Sequence, residues 1–334
     1  MKRRANLILT GLSLLFSSHA AGAPAPFGIK VSGGISVSAF RETKSEKGTQ
    51  TKLKLEDTVL EIKGNRNSAG FDIALGTLLL PTVLSSVDQK NKGNFGLNRE
   101  NDRAGLLWGA VNLKPAENLK LEAGILPTNV GYELAESYRN FNITYGLVWN
   151  SQPFIYRGVR ATYTFNESFQ VYGEYDRGKE LNGSSRNHAL ALGISGALSS
   201  FYYTFSYFDY GNYKNIFDFS LSTSCKNLKM GINGDYQWLD GKGNRKGYGV
   251  AIYIVPEFKE FSLPIRVEMV KDTNSSSIYG FSEKTYSFTL TPTYNLSSNT
   301  TIRVEYSLVK SENGSAFNGS DHKETFSFQL LLNF

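Results

Sequence analysis

The chain ends in Lys323-Glu-Thr-Phe-Ser-Phe-Gln-Leu-Leu-Leu-Asn-Phe334 (KETFSFQLLLNF). Phe326, Phe328, Leu330, Leu332 and Phe334 take alternate positions, and residues two apart in a strand share a face. A strand with that much exposed Phe and Leu at the end of a soluble protein invites edge-to-edge aggregation. In lipid the same face is solvated. The final twelve residues therefore point to a sheet whose apolar side faces a membrane.

Working back from this segment, period-2 stretches of roughly ten residues recur along the whole chain. They are 28–41, 53–63, 69–80, 103–114, 118–126, 155–165, 169–176, 188–196, 201–209, 214–223, 227–237, 246–255, 261–271, 284–295, 299–309 and 323–334. In 299–309 one face is Ile302, Val304, Tyr306 and Leu308, and the other is Arg303, Glu305 and Ser307. In 261–271 Leu263, Ile265, Val267 and Met269 oppose Arg266 and Glu268. The second stretch changes parity near Asp57, as a β-bulge requires. The fourth is ambiguous on both faces. A tilted membrane-crossing strand needs about 9–11 residues.

Connection lengths sort by side. The connections 42–52, 81–102, 127–154, 177–187, 238–245, 272–283 and 310–322 are long, with 210–213 the short exception. Those at 64–68, 115–117, 166–168, 197–200, 224–226, 256–260 and 296–298 are short. Long loops on one side and tight turns on the other characterise outer-membrane barrels, and a soluble sandwich has no reason to sort them. The expected fold is all-β: a transmembrane antiparallel β-barrel of about 16 strands, with both termini on the short-turn, periplasmic side.

Composition agrees. Of 334 residues 13% are aromatic, nearly all Tyr (19) and Phe (22), which suits strands and excludes intrinsic disorder. The one Cys, Cys225, rules out a disulfide within the chain, and three His make a His- or Cys-rich metal site untenable. At the start Lys2, Arg3 and Arg4 precede the apolar run Leu7–Phe16 and the small-residue pattern Ser18-His19-Ala20. This reads as a signal peptide over 1–20, with cleavage no later than 23, followed by a single barrel domain over 24–334. The formal charge of +6 falls to about +3 without those three cations, so it argues for no nucleic-acid partner. Beyond residue 23 no apolar run reaches the ~18–20 residues of a transmembrane helix.

Sixteen strands leave room for an aqueous channel. Arg160, Thr162 and Thr164, Tyr172 and Glu174, and Ser287, Thr289 and Thr291 supply the polar inward faces such a channel needs. The longest outer connection, 127–154, carries Glu133, Glu136 and Arg139 among Tyr132, Tyr138, Phe141, Tyr145 and Trp149. So aromatic a loop does not stay solvated as a flexible tip. The expectation is that it folds into the barrel and forms the constriction, its acids facing wall cations Arg160, Arg266 and Arg303 to give a transverse field.

The stretch 119–176 brings a resemblance into view. Leu121-Glu122-Ala123-Gly124, Gly131-Tyr132-Glu133, Asn142, Gln152-Pro153-Phe154, Gly158-Val159 and Tyr163-Thr164-Phe165 resemble the outer-membrane β-barrel porin group called porin-2, OmpL-like. The resemblance implies a channel for small hydrophilic solutes, no cofactor and no catalytic step. The alternating segment ending on Phe334 likewise resembles the C-terminal strand of bacterial outer-membrane proteins, which implies reading by the barrel assembly machinery. By analogy with general porins, loop 81–102 would latch a neighbour in a homotrimer. Localisation follows: the outer membrane of a Gram-negative-type bacterium, in contact with its lipids. Alternatives are a substrate-selective channel, a non-conducting structural or adhesive barrel, and an enzyme built on His188 or His322 with Ser184, Ser185 or Ser320.

Overall fold

Alternation becomes architecture when the first and last strands meet. The computed structural model describes residues 28–45, 48–86, 105–177, 188–211, 213–241, 245–273 and 278–334; the signal segment 1–20 and the lead-in to residue 27 lie outside them. Sixteen antiparallel strands follow in chain order. They are β1 (Gly28–Ser45), β2 (Gly48–Arg66), β3 (Ala69–Leu78), β4 (Gly105–Ala116), β5 (Leu119–Pro127), β6 (Ile155–Asn166), β7 (Phe169–Asp176) and β8 (Ala189–Leu198). The second half is β9 (Phe201–Asp209), β10 (Lys214–Cys225), β11 (Leu228–Leu239), β12 (Lys246–Phe258), β13 (Phe261–Ser262 and Ile265–Thr273), β14 (Thr285–Leu290 and Thr293–Asn295), β15 (Thr300–Ser311) and β16 (His322–Asn333). Each strand pairs with its neighbours in sequence, and β1 closes on β16 from Gly34↔Asn333 to Glu42↔Thr325. Phe334 completes the seam through two backbone bonds with Gly33, at 2.9 and 3.0 Å. A closed barrel has no unpaired edge, which is what a sheet in hydrocarbon requires.

The interruptions of β13 and β14 have one cause. Pro256, Pro264 and Pro292 lie in three adjacent strands and donate nothing to the ladder. Their carbonyls still accept, from Leu263, Thr291 and Val304 at 2.8–3.0 Å, so the wall stays continuous.

The parity change near Asp57 is a bulge. Ser36 pairs with Asp57 and Val37 with Leu55, leaving Glu56 as the extra residue. Leu53 and Leu55 face outward before it, whereas Glu56 and Asp57 are both fully buried. A second bulge explains the ambiguous fourth strand: Ala74 pairs with Trp108 and Leu75 with Leu106, skipping Leu107. The expected long loop 42–52 is instead strand on both sides, because β1 runs to Ser45 and β2 restarts at Gly48. Its polar residues alternate as a hairpin standing above the membrane rather than as a loop.

One close approach depends on a missing side chain. Gly76, φ 145°, pairs with Val59, and a Cβ there would lie 1.5 Å from the Thr58 carbonyl oxygen. Gly76→Ala is expected to cost about 2 kcal/mol or more through backbone strain. The check is a lower melting temperature of the heat-modifiable folded band on gels.

Candidate functional site: the barrel lumen

The outward positions carry the apolar side chains, among them Val111, Leu192, Phe217 and Phe326, all well exposed. Inward positions are mostly polar, and each of the sixteen strands has at least one inward side chain that is buried. Ser38 on β1, Ala74 on β3, Ala251 on β12 and Gln329 on β16 are all 0% exposed. In an empty barrel of this size such short side chains would touch water. Chain folded into the lumen covers them.

Most of the covering chain is the segment 128–154 between β5 and β6. Few of its backbone groups bond within the segment, as Arg139 does to Glu136 and Gln152 to Trp149 (both 3.0 Å), so the wall supplies many of the partners. Wall carboxylates take its N–H groups. Glu305 accepts from Ile143 (2.6 Å) and Thr144 (3.1 Å), Glu268 from Val148 (3.1 Å), and Asp218 from Gly131 (3.0 Å). Wall cations take its carbonyls. Arg303 donates to Asn140 (2.8 Å) and Tyr138 (3.1 Å), Arg266 to Thr144 (2.7 Å), and Lys214 to Ser151 (2.7 Å).

Apolar contacts complete the fit. Tyr145 stacks on Trp149 with ring centroids 4.0 Å apart, and Tyr132 on Tyr253 of β12 at 4.3 Å. Val130 packs in a cluster with Tyr172, Ala191, Phe208 and Ile216 from β7 to β10. Tyr145 and Tyr138 join Val59, Ala74, Trp108 and Leu331 from β2, β3, β4 and β16. One loop thus touches strands around almost the whole circumference.

Two further segments enter the lumen. Residues 81–86 meet the loop, where the Val83 N–H donates to the Tyr145 carbonyl (2.9 Å) and the Tyr145 N–H to that of Pro81 (2.8 Å). Glu42 accepts from the Ser86 N–H and hydroxyl, both at 2.7 Å, and pairs with Lys323 at 2.5 Å. This start of the expected latching loop 81–102 therefore lies inside the barrel, and its remainder from 87 on is outside the described residues. After β13, Asp272 accepts the N–H groups of Tyr279, Gly280 and Phe281 at 2.9–3.2 Å, turning Tyr279 inward.

The six charged residues singled out from the sequence fall into three groups. Glu133 and Arg266 are in direct contact, 4% and 0% exposed, with Glu268 3.1 Å from the same guanidinium. Burial raises the Glu133 carboxyl above its ordinary range, and Arg266 beside it pulls it down. Glu136 pairs with Arg139 of its own loop (3.2 Å), and Arg139 reaches Glu61 of β2 (2.9 Å), which also pairs with Lys63. Burial raises Glu136 as well, against the pull of Arg139. Arg160 is held by the wall acid Glu174 (2.6 Å) and the Pro127 carbonyl (2.5 Å), and Arg303 by loop carbonyls. The structure thus joins Glu133 to Arg266 without a gap and sets neither Arg160 nor Arg303 against a loop acid.

Sequence reasoning put Glu268 and Glu305 on polar faces but named none of the wall acids Asp218, Asp235, Glu268 and Glu305 as partners of the loop. Their signal was present as inward parity on β10, β11, β13 and β15, but parity does not name a partner.

The histidines lie apart from this. His322 Nδ1 contacts both Asp321 (2.7 Å) and Ser320 Oγ (3.4 Å). One nitrogen cannot take a hydroxyl proton while donating to a carboxylate, so these three form no nucleophile–base–acid relay. His188 meets the Tyr175 hydroxyl. Ser184 and Ser185 lie outside the described residues.

The fold is matched by the comparisons with known proteins. Residues 33–334 match the model of the family described as "Putative beta-barrel porin-2, OmpL-like". The chain belongs to this porin family. It is accordingly an outer-membrane protein of the Gram-negative type. Among solved structures the porin is similar to OmpT, an outer membrane protein of Vibrio cholerae, at 10% identity, covering 94% of this chain and 99% of that one, with a TM-score of 0.64. It is similar to the outer membrane channel DcaP of Acinetobacter baumannii at 10% identity, 93% and 99% coverage and a TM-score of 0.64. OccAB1 of the same organism follows at 10% identity, 95% and 100% coverage and 0.58. At such identities the likeness shows the barrel fold. One OmpT structure is of a trimer form. No curated protein matches the chain.

Proposed function

We propose that this porin passes small hydrophilic solutes and ions by passive diffusion, with segment 128–154 as the constriction that limits their size. The observation that carries this is the loop's attachment to opposed walls, through Gly131 to Asp218 on β10 and through Arg139 to Glu61 on β2, eight strands away, with Glu268 and Glu305 holding it in between, so that it spans the lumen. Glu133, Arg266 and Arg303 hold the loop in place. Glu136, Arg139 and Arg160 line the approach from the periplasmic half, where Lys63 and Lys120 remain 46% and 42% exposed. The test is single-channel conductance of refolded protein in a planar bilayer, with reversal potential in a salt gradient. Discrete steps are expected, and folded protein that never conducts would defeat this reading. The runner-up, a substrate-selective channel, is favoured by how completely the loop fills the section; concentration-dependent block by one solute would select it.

Export through the signal segment 1–20, lipid contact, and recognition of the Phe334 strand by the assembly machinery complete the proposal. So does a homotrimer, for which the outer face supplies support. Outward Tyr and Trp recur from β6 to β15, including Tyr163, Tyr207, Tyr236, Trp238 and Tyr294, as interfacial girdles do. Among the described residues β1–β5 present no outward Tyr or Trp; apart from Phe71 and Arg41 their outward side chains are mainly aliphatic and small, such as Val37, Leu55, Val111 and Ala123. A wall sector without interfacial anchors suits contact with another subunit. Ala123→Trp is expected to convert a cross-linked trimer to monomer while the barrel stays folded, since lipid accepts Trp; wild type that cross-links only as monomer would dismiss the trimer.

A further inference from the structure

Deep in the packed lumen two carboxylates lie side by side without a cation in contact. Asp218 of β10 and Asp235 of β11 are direct cross-strand partners with inward side chains, 3% and 5% exposed, and one amide nitrogen, that of Gln152, reaches both. Their donors are neutral. The Asn233 amide reaches Asp218 Oδ2 at 2.6 Å, the Gln237 amide Asp235 Oδ2 at 2.9 Å, and the Gly131 N–H Asp218 Oδ1 at 3.0 Å. The Gln152 amide nitrogen sits 3.2 Å from Asp218 Oδ2, 3.0 Å from Asp235 Oδ1 and 2.9 Å from Asn233 Oδ1. An amide NH2 carries two hydrogens. Three acceptors therefore crowd two protons, and the cluster is one donor short.

The charged and titratable neighbours do not close that deficit. Lys214 of β10 donates to the Ser151 carbonyl at 2.7 Å, and its charge reaches Asp235 only from beyond ion-pair contact. Tyr279 approaches Asp235 Oδ2 at 3.3 Å, and Asp272 of β13 is occupied with the N–H groups around Tyr279. Tyr172 of β7 and Tyr210 after β9 act only at longer range. Two adjacent buried carboxylates without a cation in contact do not both ionise.

We propose that Asp218 and Asp235 share one proton, and that this proton locks the loop across the lumen. The pair holds both ends of the loop, through Gly131 and Gln152, and the inward Tyr279 besides. Loss of the proton to water leaves two carboxylates side by side. Their repulsion separates the groups that anchor loop and wall, and the constriction loosens. The lumen is tight below the pH at which the pair ionises and open above it.

This rests on the porin reading, and bilayer recordings of the full chain test the two separately. Between about pH 5 and about pH 9 the open-to-closed ratio of wild type is expected to rise about tenfold. Asp235→Asn and Asp218→Asn, each carrying a permanently neutral group, are expected to keep the low-pH behaviour at both. A wild-type ratio flat across this range, or a response that survives in both Asn variants, overturns the proposal. A chain lacking residues 133–145 is the control, expected to conduct at every pH; if it is silent while folded, the porin reading itself has failed. Reclosure of wild type by Ca2+ at about pH 9, absent in Asp235→Asn, would replace the shared proton with a metal ion and so also overturn it.

Discussion

Deleting residues 133–145 is expected to raise single-channel conductance at least about threefold, because a sixteen-strand barrel without an inward loop is an aqueous channel. The deletion removes Glu133, Ile143, Thr144 and Tyr145, and with them the bonds to Arg266 and Glu305 and the stack on Trp149. It also removes the tie between the loop and the segment 81–86, which runs through Tyr145. No strand is touched, since β5 ends at Pro127 and β6 begins at Ile155. The wall charges left behind, Arg266, Glu268, Arg303 and Glu305, become solvated by lumen water rather than stranded. Folding should survive while the cross-section opens. Unchanged conductance would remove this loop from the solute path.

The second large effect is expected at Arg266. Its guanidinium is fully buried against Glu133 and Glu268, and it donates to the Thr144 carbonyl and Thr289 Oγ1. Arg266→Met fills similar volume but leaves two buried carboxylates and a loop carbonyl uncompensated. Removing one partner of a buried ion pair costs about 3–5 kcal/mol. That cost falls on the attachment of the loop, so the variant should melt earlier and conduct with frequent fluctuations. Adding Glu133→Gln to Arg266→Met should recover part of the loss, since one of the stranded charges is then gone. A thermal melt and conductance record indistinguishable from wild type would mean that the pair does not hold the loop.

Much of the barrel was legible because a strand writes its two faces at period 2. The terminal KETFSFQLLLNF, the Arg303-Glu305-Ser307 face and the Arg266-Glu268 face all lie as their alternation demanded. The bulges were half legible: a parity change near Asp57 marked the first, but at Leu107 and Trp108 two adjacent buried residues erased the pattern. For the hairpin at Ser45 and Gly48, a polar alternating segment above the membrane resembles a loop in composition. The loop 128–154 announced its inward course by its aromatics.

Its partners were not legible. Gln152 meets Asp235 across 83 positions, Thr144 meets Glu305 across 161, and Lys323 meets Leu84 across 239. No local pattern encodes such pairings. They arise when β1 closes on β16 and inward groups on distant strands must satisfy whatever chain enters the lumen.

The sequence by itself determined the membrane barrel and its count of about sixteen strands, because alternation and the spacing of connections are local consequences of a lipid-facing wall. Only the tertiary structure decided which charges meet, which stay neutral, and how far the loop fills the channel. Those are set by burial, and burial exists only once the wall has closed around the loop.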